Sequence, residues 1–153
     1  MPPTAAWGLT LAMQPDDNLY HELMAYTLAH SSPAFIHQHV VDAHCAQYAD
    51  ATTKPIALTF ALAGLYLHLE RQFTGREVQR AHMRMAQHRR QWLKLPLPKH
   101  RGELTVTDVM AAPPGSERDA AVERWCTSVW NAWGHVHPHI EQLLTEELGM
   151  GRK

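Results

Sequence analysis

Residues 32–50, SPAFIHQHVVDAHCAQYAD, decide how the rest of the chain is read. Ser32 followed by Pro33 has the pattern of an N-cap and first helical position. A serine hydroxyl accepts from free amides, and proline's fixed φ suits the first turn. Behind them comes a helix with no Lys, Arg or Glu, whose polar groups are His37, Gln38, His39, Asp42, His44, Gln47 and Asp50. A helix that faces water carries long charged side chains on its outer side. This one lacks them, so it is expected at the centre of the fold with its imidazoles and carboxylates held inside. A buried polar group left without a partner costs about 1–3 kcal/mol or more. Two kinds of partner suit such a helix, a metal ion or a hydrogen-bond network.

Working outward, Thr52-Thr53-Lys54-Pro55 stops that helix and starts a third, which carries Ile56, Phe60, Ala63, Leu67 and Glu70 on one stripe. Gly64 in its middle costs about 1 kcal/mol against alanine, which points to close approach of a neighbouring helix. Across residues 31–69 the only Asp, Glu, Lys or Arg residues are Asp42, Asp50 and Lys54. The second and third helices are therefore the expected buried centre. Upstream, an arm over residues 1–14 packs through Trp7 and Leu11, and Pro15-Asp16-Asp17-Asn18 caps a first helix running to about His30. Downstream, Thr74-Gly75-Arg76-Glu77 has the capping-box pattern and opens a fourth helix that Pro96 and Pro98 end. A Pro-rich irregular connection occupies residues 93–115, interrupted by a short helix that Thr107-Asp108 caps and that runs through Ala112. Ser116-x-x-Asp119 then caps the last long helix, which Gly134 and Pro138 interrupt before a final piece reaches Leu148. The expectation is one all-α domain over residues 1–153, a bundle of about five helices with a tail at 149–153.

Composition narrows the function. The formal net charge is −1 and the pI about 6.9, so nucleic acid is not an expected partner. Twelve histidines against 14 Lys and Arg raise the prospect of metal or proton chemistry. Cys45 and Cys126 stand in no CxxC spacing, which fits a reducing compartment. No Lys or Arg falls in the first fourteen residues, against a secretory or mitochondrial presequence. The longest uncharged run that reads as one element, Pro55 to Leu69, has 15 residues. A membrane span requires about 20. A cytoplasmic protein with no membrane partner is expected; homo-oligomerisation stays open.

His39 and Asp42, three residues apart, share the helix face that also holds Phe35, Ala43 and Ala46. Glu70 and His82 come from the next two helices, each on an apolar stripe. Two imidazoles and one or two carboxylates on adjacent helices make a normal ligand set for Zn, Mn or Fe. A divalent-metal centre is therefore expected, with an activated water and Asp42 or Glu70 as catalytic carboxylate in a hydrolase or transferase acting on a small-molecule substrate. The alternatives are a structural polar network in a non-catalytic binding or assembly protein, and acid–base catalysis without metal. His135-x-His137-x-His139 is a further ligand pattern, which Pro138 breaks. Arg76, Arg80, Arg84, Arg89 and Arg90 make one side of the fourth helix basic. Arginine grips carboxylate or phosphate in bidentate fashion, although a solvated basic face is the plainer reading. Trp125, Trp130 and Trp133 read as packing residues.

The chain resembles an uncharacterised bacterial family of small His-rich helical proteins classed as a domain of unknown function. The resemblance lies in FIHQHVVDA (35–43), KPIALTFALAGLYLHLE (54–70), TGREVQRAHM (74–83), RGELTVTDV (101–109) and WCTSVW (125–130). It implies an all-helical fold and brings no established activity. By similarity the family's marked positions fall at His37, Gln38, Asp42, Glu70, Gln79 and His82. His37 points away from Asp42 on a helix starting at Pro33, so His37 and His39 stand as competing first ligands; a later helix start would favour His37.

Overall fold

The computed structural model describes residues 17–29, 34–88 and 91–150. They form seven α-helices: α1 (Asp17–Ala29), α2 (His37–Gln47), α3 (Pro55–Arg71), α4 (Gly75–Ala86), α5 (Val106–Ala111), α6 (Ser116–Ala132) and α7 (His137–Leu148). A 3-10 turn, Gly134–Val136, joins the last two. Among the described residues there is no strand. The all-α expectation holds, and the helix count rises from about five to seven because the short piece after Thr105 and the piece after Gly134 are helices in their own right. The N-terminal arm, the Ser32–Pro33 start, Arg89–Arg90 and the end of the tail lie outside the described residues.

Local chemistry sets most helix ends. Pro55 opens α3, and Gln72 closes it in the left-handed region at φ 60°. Thr74 and Glu77 form the expected capping box: Glu77 N donates to Thr74 Oγ1 at 3.2 Å, and Thr74 N to Glu77 Oε1 at 2.8 Å. The cap of α5 is Thr105 rather than Thr107, with Asp108 completing a second box. Gly115, not Ser116, precedes α6. Helix α2 starts at His37 instead of Pro33, because Phe35 takes a left-handed φ of 47° and turns the chain there. That turn presses on the start of α4. A Cβ on Gly75 would lie 1.8 Å from the Phe35 carbonyl oxygen, so only glycine fits. Helix α4 ends at Ala86, well before Pro96, and Trp92 reaches Phe60 edge-on from the connection that follows.

Helix α2 packs against α1, α3, α4 and α6, and α3 against α2, α4, α6 and α7, so these two are innermost, as expected. Leu23, Val40, Leu62, Leu65, Met85, Trp125, Trp133 and Ile140 are fully buried around them. Each such side chain contributes roughly 1.5–3 kcal/mol. The tryptophans of α6 and its C-cap bury their rings and satisfy their N–H groups at once. Trp125 donates to Gln47 Oε1 at 2.9 Å, Trp130 to Glu70 Oε2 at 3.3 Å and Trp133 to the Ala46 carbonyl at 3.2 Å. Arg101 closes the C-terminal end of α2 by donating to the Gln47 and Ala49 carbonyls at 3.0 and 2.7 Å.

Candidate functional site

Asp42 sits where α2, α3 and α4 meet. Its carboxyl lies over the backbone of Gly64: a Cβ built there would stand 1.9 Å from Oδ2 and 3.2 Å from Val78 Cγ1. The close approach expected at Gly64 is therefore made by a side chain. One carboxyl oxygen accepts from Gln38 Nε2 at 3.0 Å, one turn earlier on α2, and the other has no partner. Burial holds the Asp42 pKa well above the usual carboxylate range, opposed only by the Gln38 bond. Cys45 is pushed up to about 11 and Tyr20 to about 12, each chiefly by burial and secondarily by neighbouring acidic groups that include Asp42. Cys45 and Tyr20, on the seam between α1 and α2, are thus uncharged at neutral pH.

His39 belongs to a second group. Its ring stacks on His68 of α3, with centroids 3.5 Å apart and planes 15° from parallel. His68 Nε2 lies 2.9 Å from Glu123 Oε1 on α6, and its Nδ1 lies 3.3 Å from the Phe73 carbonyl. Burial, with the neighbouring His68 second, lowers the His39 pKa to about 3, and its Nδ1 has no partner. The His68 bond lowers the Glu123 pKa. Nearly parallel rings cannot both aim in-plane lone pairs at one ion about 2.0–2.1 Å away.

The remaining expected ligands go elsewhere. His37 turns to α1, with Nδ1 at 2.9 Å from Thr27 Oγ1, and burial lowers its pKa. The later helix start brings His37 to Thr27, not to Asp42. His82 Nε2 donates to the Phe60 carbonyl at 2.7 Å and its ring stacks on Phe60; burial lowers its pKa, opposed by that bond. Because His82 follows Val78 by four residues, and Phe60 precedes Gly64 by four, His82 and Asp42 sit about one turn, roughly 5–6 Å, apart along the α3–α4 seam. Glu70 accepts from Trp130 on α6. It follows Gly64 by six residues, about 9 Å along α3 and about 120° around it. The five expected ligands thus occupy four neighbourhoods, and among the described residues no three His, Cys, Asp or Glu side chains are grouped to hold a metal ion.

His68 and Glu123 are the polar residues that sequence reasoning left out of the centre. His68 was legible as a neighbour of Glu70, whereas nothing around Glu123 on its amphipathic helix marks it. Two of the three alternate histidines are engaged by backbone: His135 Nε2 bonds the Pro96 carbonyl at 2.7 Å, and His137 Nε2 the Trp130 carbonyl at 2.8 Å.

Fold and centre together define an all-α bundle whose inner polar groups are mostly hydrogen-bonded to groups of the same chain. Residues 17–134 match a family described as "Family of unknown function (DUF5946)", and the chain belongs to that family. No curated protein and no solved structure matches it. No helix among the described residues is long and apolar enough to cross a membrane.

Proposed function

We propose that the chain is a non-catalytic binding protein whose inner histidines and carboxylate form a structural network fixing α2 against its neighbours. The partnering of the expected ligands supports this reading: His37 with Thr27, His82 with the Phe60 carbonyl, Asp42 with Gln38 and Glu70 with Trp130. Each bond satisfies a group that would otherwise be costly to bury. Elemental analysis of protein purified without an affinity tag, combined with melting in chelator, tests it. Metal well below one equivalent and an unmoved melting temperature are expected. Stoichiometric metal that is lost on Asp42→Ala or His82→Ala, with the fold retained, refutes it.

One observation favours a second reading, a divalent-metal (Zn, Mn or Fe) enzyme acting on a small molecule by hydrolysis or group transfer. The second carboxyl oxygen of Asp42 is buried without a partner, about one turn from His82. Metal loading would require His82 to leave the Phe60 carbonyl. On this reading Asp42→Asn, which keeps the shape and loses the acid, abolishes metal uptake.

A further inference from the structure

We infer that the groove between α4 and the C-terminal end of α7 binds a small organic anion, its carboxylate or phosphate head on Arg80 and Arg84 and its apolar body on the groove floor. The inference deepens the reading of the chain as a binding protein by giving that protein a ligand seat.

The groove encloses about 310 Å³, at the small end of the roughly 300–1,000 Å³ range of ligand pockets. Its floor is apolar, made by Phe73 and Ala81 on one side and Leu148 and Met150 on the other. Arg80 and Arg84 line it from successive turns of α4, where side chains four residues apart are neighbours. Two guanidiniums at that spacing repel each other and can converge on one planar or tetrahedral anion. Among the described residues neither has an ion-pair or hydrogen-bond partner. Two further charged groups flank the pair, and Glu77 keeps one negative charge beside the two guanidiniums. Arg76 lies over the Phe35 ring at 3.9 Å, and one oxygen of Glu77, which also lines the groove, accepts from the backbone N–H of Thr74.

A solvated basic face would carry exposed arginines but needs no apolar floor beneath them. Arg84 also lies in the last turn of α4, where a cation suits the helix dipole. That effect accounts for one arginine and not for the pair over a cavity. The alternative partner surface, the tryptophans of α6 and its C-cap, is closed, since Trp125, Trp130 and Trp133 are 0, 2 and 0 % exposed. Charge on two neighbouring cations and apolar area below them define the ligand chemistry as a one-headed amphiphile.

Calorimetric titration at constant ionic strength tests this with hexanoate, hexyl phosphate, inorganic phosphate and 1-hexanol. The expected result is saturable one-to-one binding of hexanoate or hexyl phosphate. It weakens at least tenfold in an Arg80→Gln/Arg84→Gln variant of unchanged circular dichroism, and persists in the Arg124→Gln control on α6. The tighter of the two heads distinguishes a carboxylate from a phosphate source. Absence of saturable binding by both amphiphiles overturns the inference. So does binding that survives the double substitution, falls equally in Arg124→Gln, or is matched by inorganic phosphate or hexanol. The metal measurement reads the interior and the titration reads this groove, so either can fail alone.

Discussion

Substituting Gly64 by alanine tests the packing at the centre of the bundle through a change of sign. In the middle of an exposed helix, Gly→Ala is worth about 1 kcal/mol in favour of alanine. Here the added methyl would lie 1.9 Å from Asp42 Oδ2 and 2.8 Å from its Cγ, far inside contact distance. Asp42 is 3 % exposed and tied to Gln38, so it has little room to swing away. Overpacking of this kind costs about 1–3 kcal/mol, and moving the carboxyl adds the loss of its hydrogen bond, about 1 kcal/mol. The net expectation for Gly64→Ala is a destabilisation of about 1–3 kcal/mol. For a chain of 153 residues that is roughly 2–12 °C in melting temperature. Removing the carboxyl by Asp42→Ala destabilises on its own by roughly 1–3 kcal/mol, since Gln38 loses its acceptor. In that background the two closest contacts of the alanine at residue 64 are gone, Val78 Cγ1 follows at 3.2 Å, and the helix-propensity gain re-emerges. Gly64→Ala should then be neutral or stabilising by up to about 1 kcal/mol, a coupling of roughly 2 kcal/mol for residues in contact. Urea unfolding of the four proteins, with the slope held constant, measures it. If Gly64→Ala costs the same in both backgrounds, the carboxyl does not rest on that backbone and the account of the centre is wrong.

Acid should destabilise the fold through His39. Its pKa drops from 6.5 to about 3, so the folded state resists protonation, and stability is lost as the pH falls below 6.5. Between pH 8 and pH 5 the loss from this residue is about 2 kcal/mol, and His37 and His82 act in the same direction. His39→Phe, which keeps a ring against His68, should remove that part of the slope; a slope identical to the parent's refutes the assignment. Asp42 has the opposite sign, because a raised carboxyl pKa gives stability that is lost as pH rises through the folded value. Asp42→Asn, a mimic of the protonated acid, should therefore cost under about 1 kcal/mol at pH 5 and become relatively more favourable toward pH 8. A penalty that grows with pH would show that the ionised carboxylate is the native form. Arg101→Ala should lower stability by about 2–3 kcal/mol, since two charged bonds to the end of α2 are lost. Hydrogen exchange at the last turn of α2 locates the effect, and unchanged protection there contradicts it.

The features legible in the sequence are those whose cause is local. Thr74 and Glu77 form their box from four consecutive residues, Pro55 opens α3 by its own ring, and a glycine within an apolar helix announces close approach without saying by whom. The scarcity of charge over residues 31–69 identified α2 and α3 as the inner helices, because a helix buried on several sides cannot carry Lys and Glu. The centre was less legible because convergence is an angular question. Glu70 ends the stripe that begins at Ile56, yet Ile56 is 38 % exposed and Glu70 meets α6, so one stripe along α3 does not face one neighbour. A position about 120° around a helix changes which partner a side chain meets, and the packing of α3 on α6 involves a bulky group far along the chain, Trp130, which meets Tyr66 and Glu70. His37 shows the same dependence: the left-handed turn at Phe35 delays α2 to residue 37, and that turn is held by the fit of Gly75 against the Phe35 carbonyl, a contact forty residues away. Spacing therefore nominated Asp42 correctly as a buried polar group, while the partners of that group were set by elements the spacing does not see. It follows that the Gly64–Asp42 pair, where a local signal and a long-range contact coincide, is the place in this chain where one double-mutant cycle examines both.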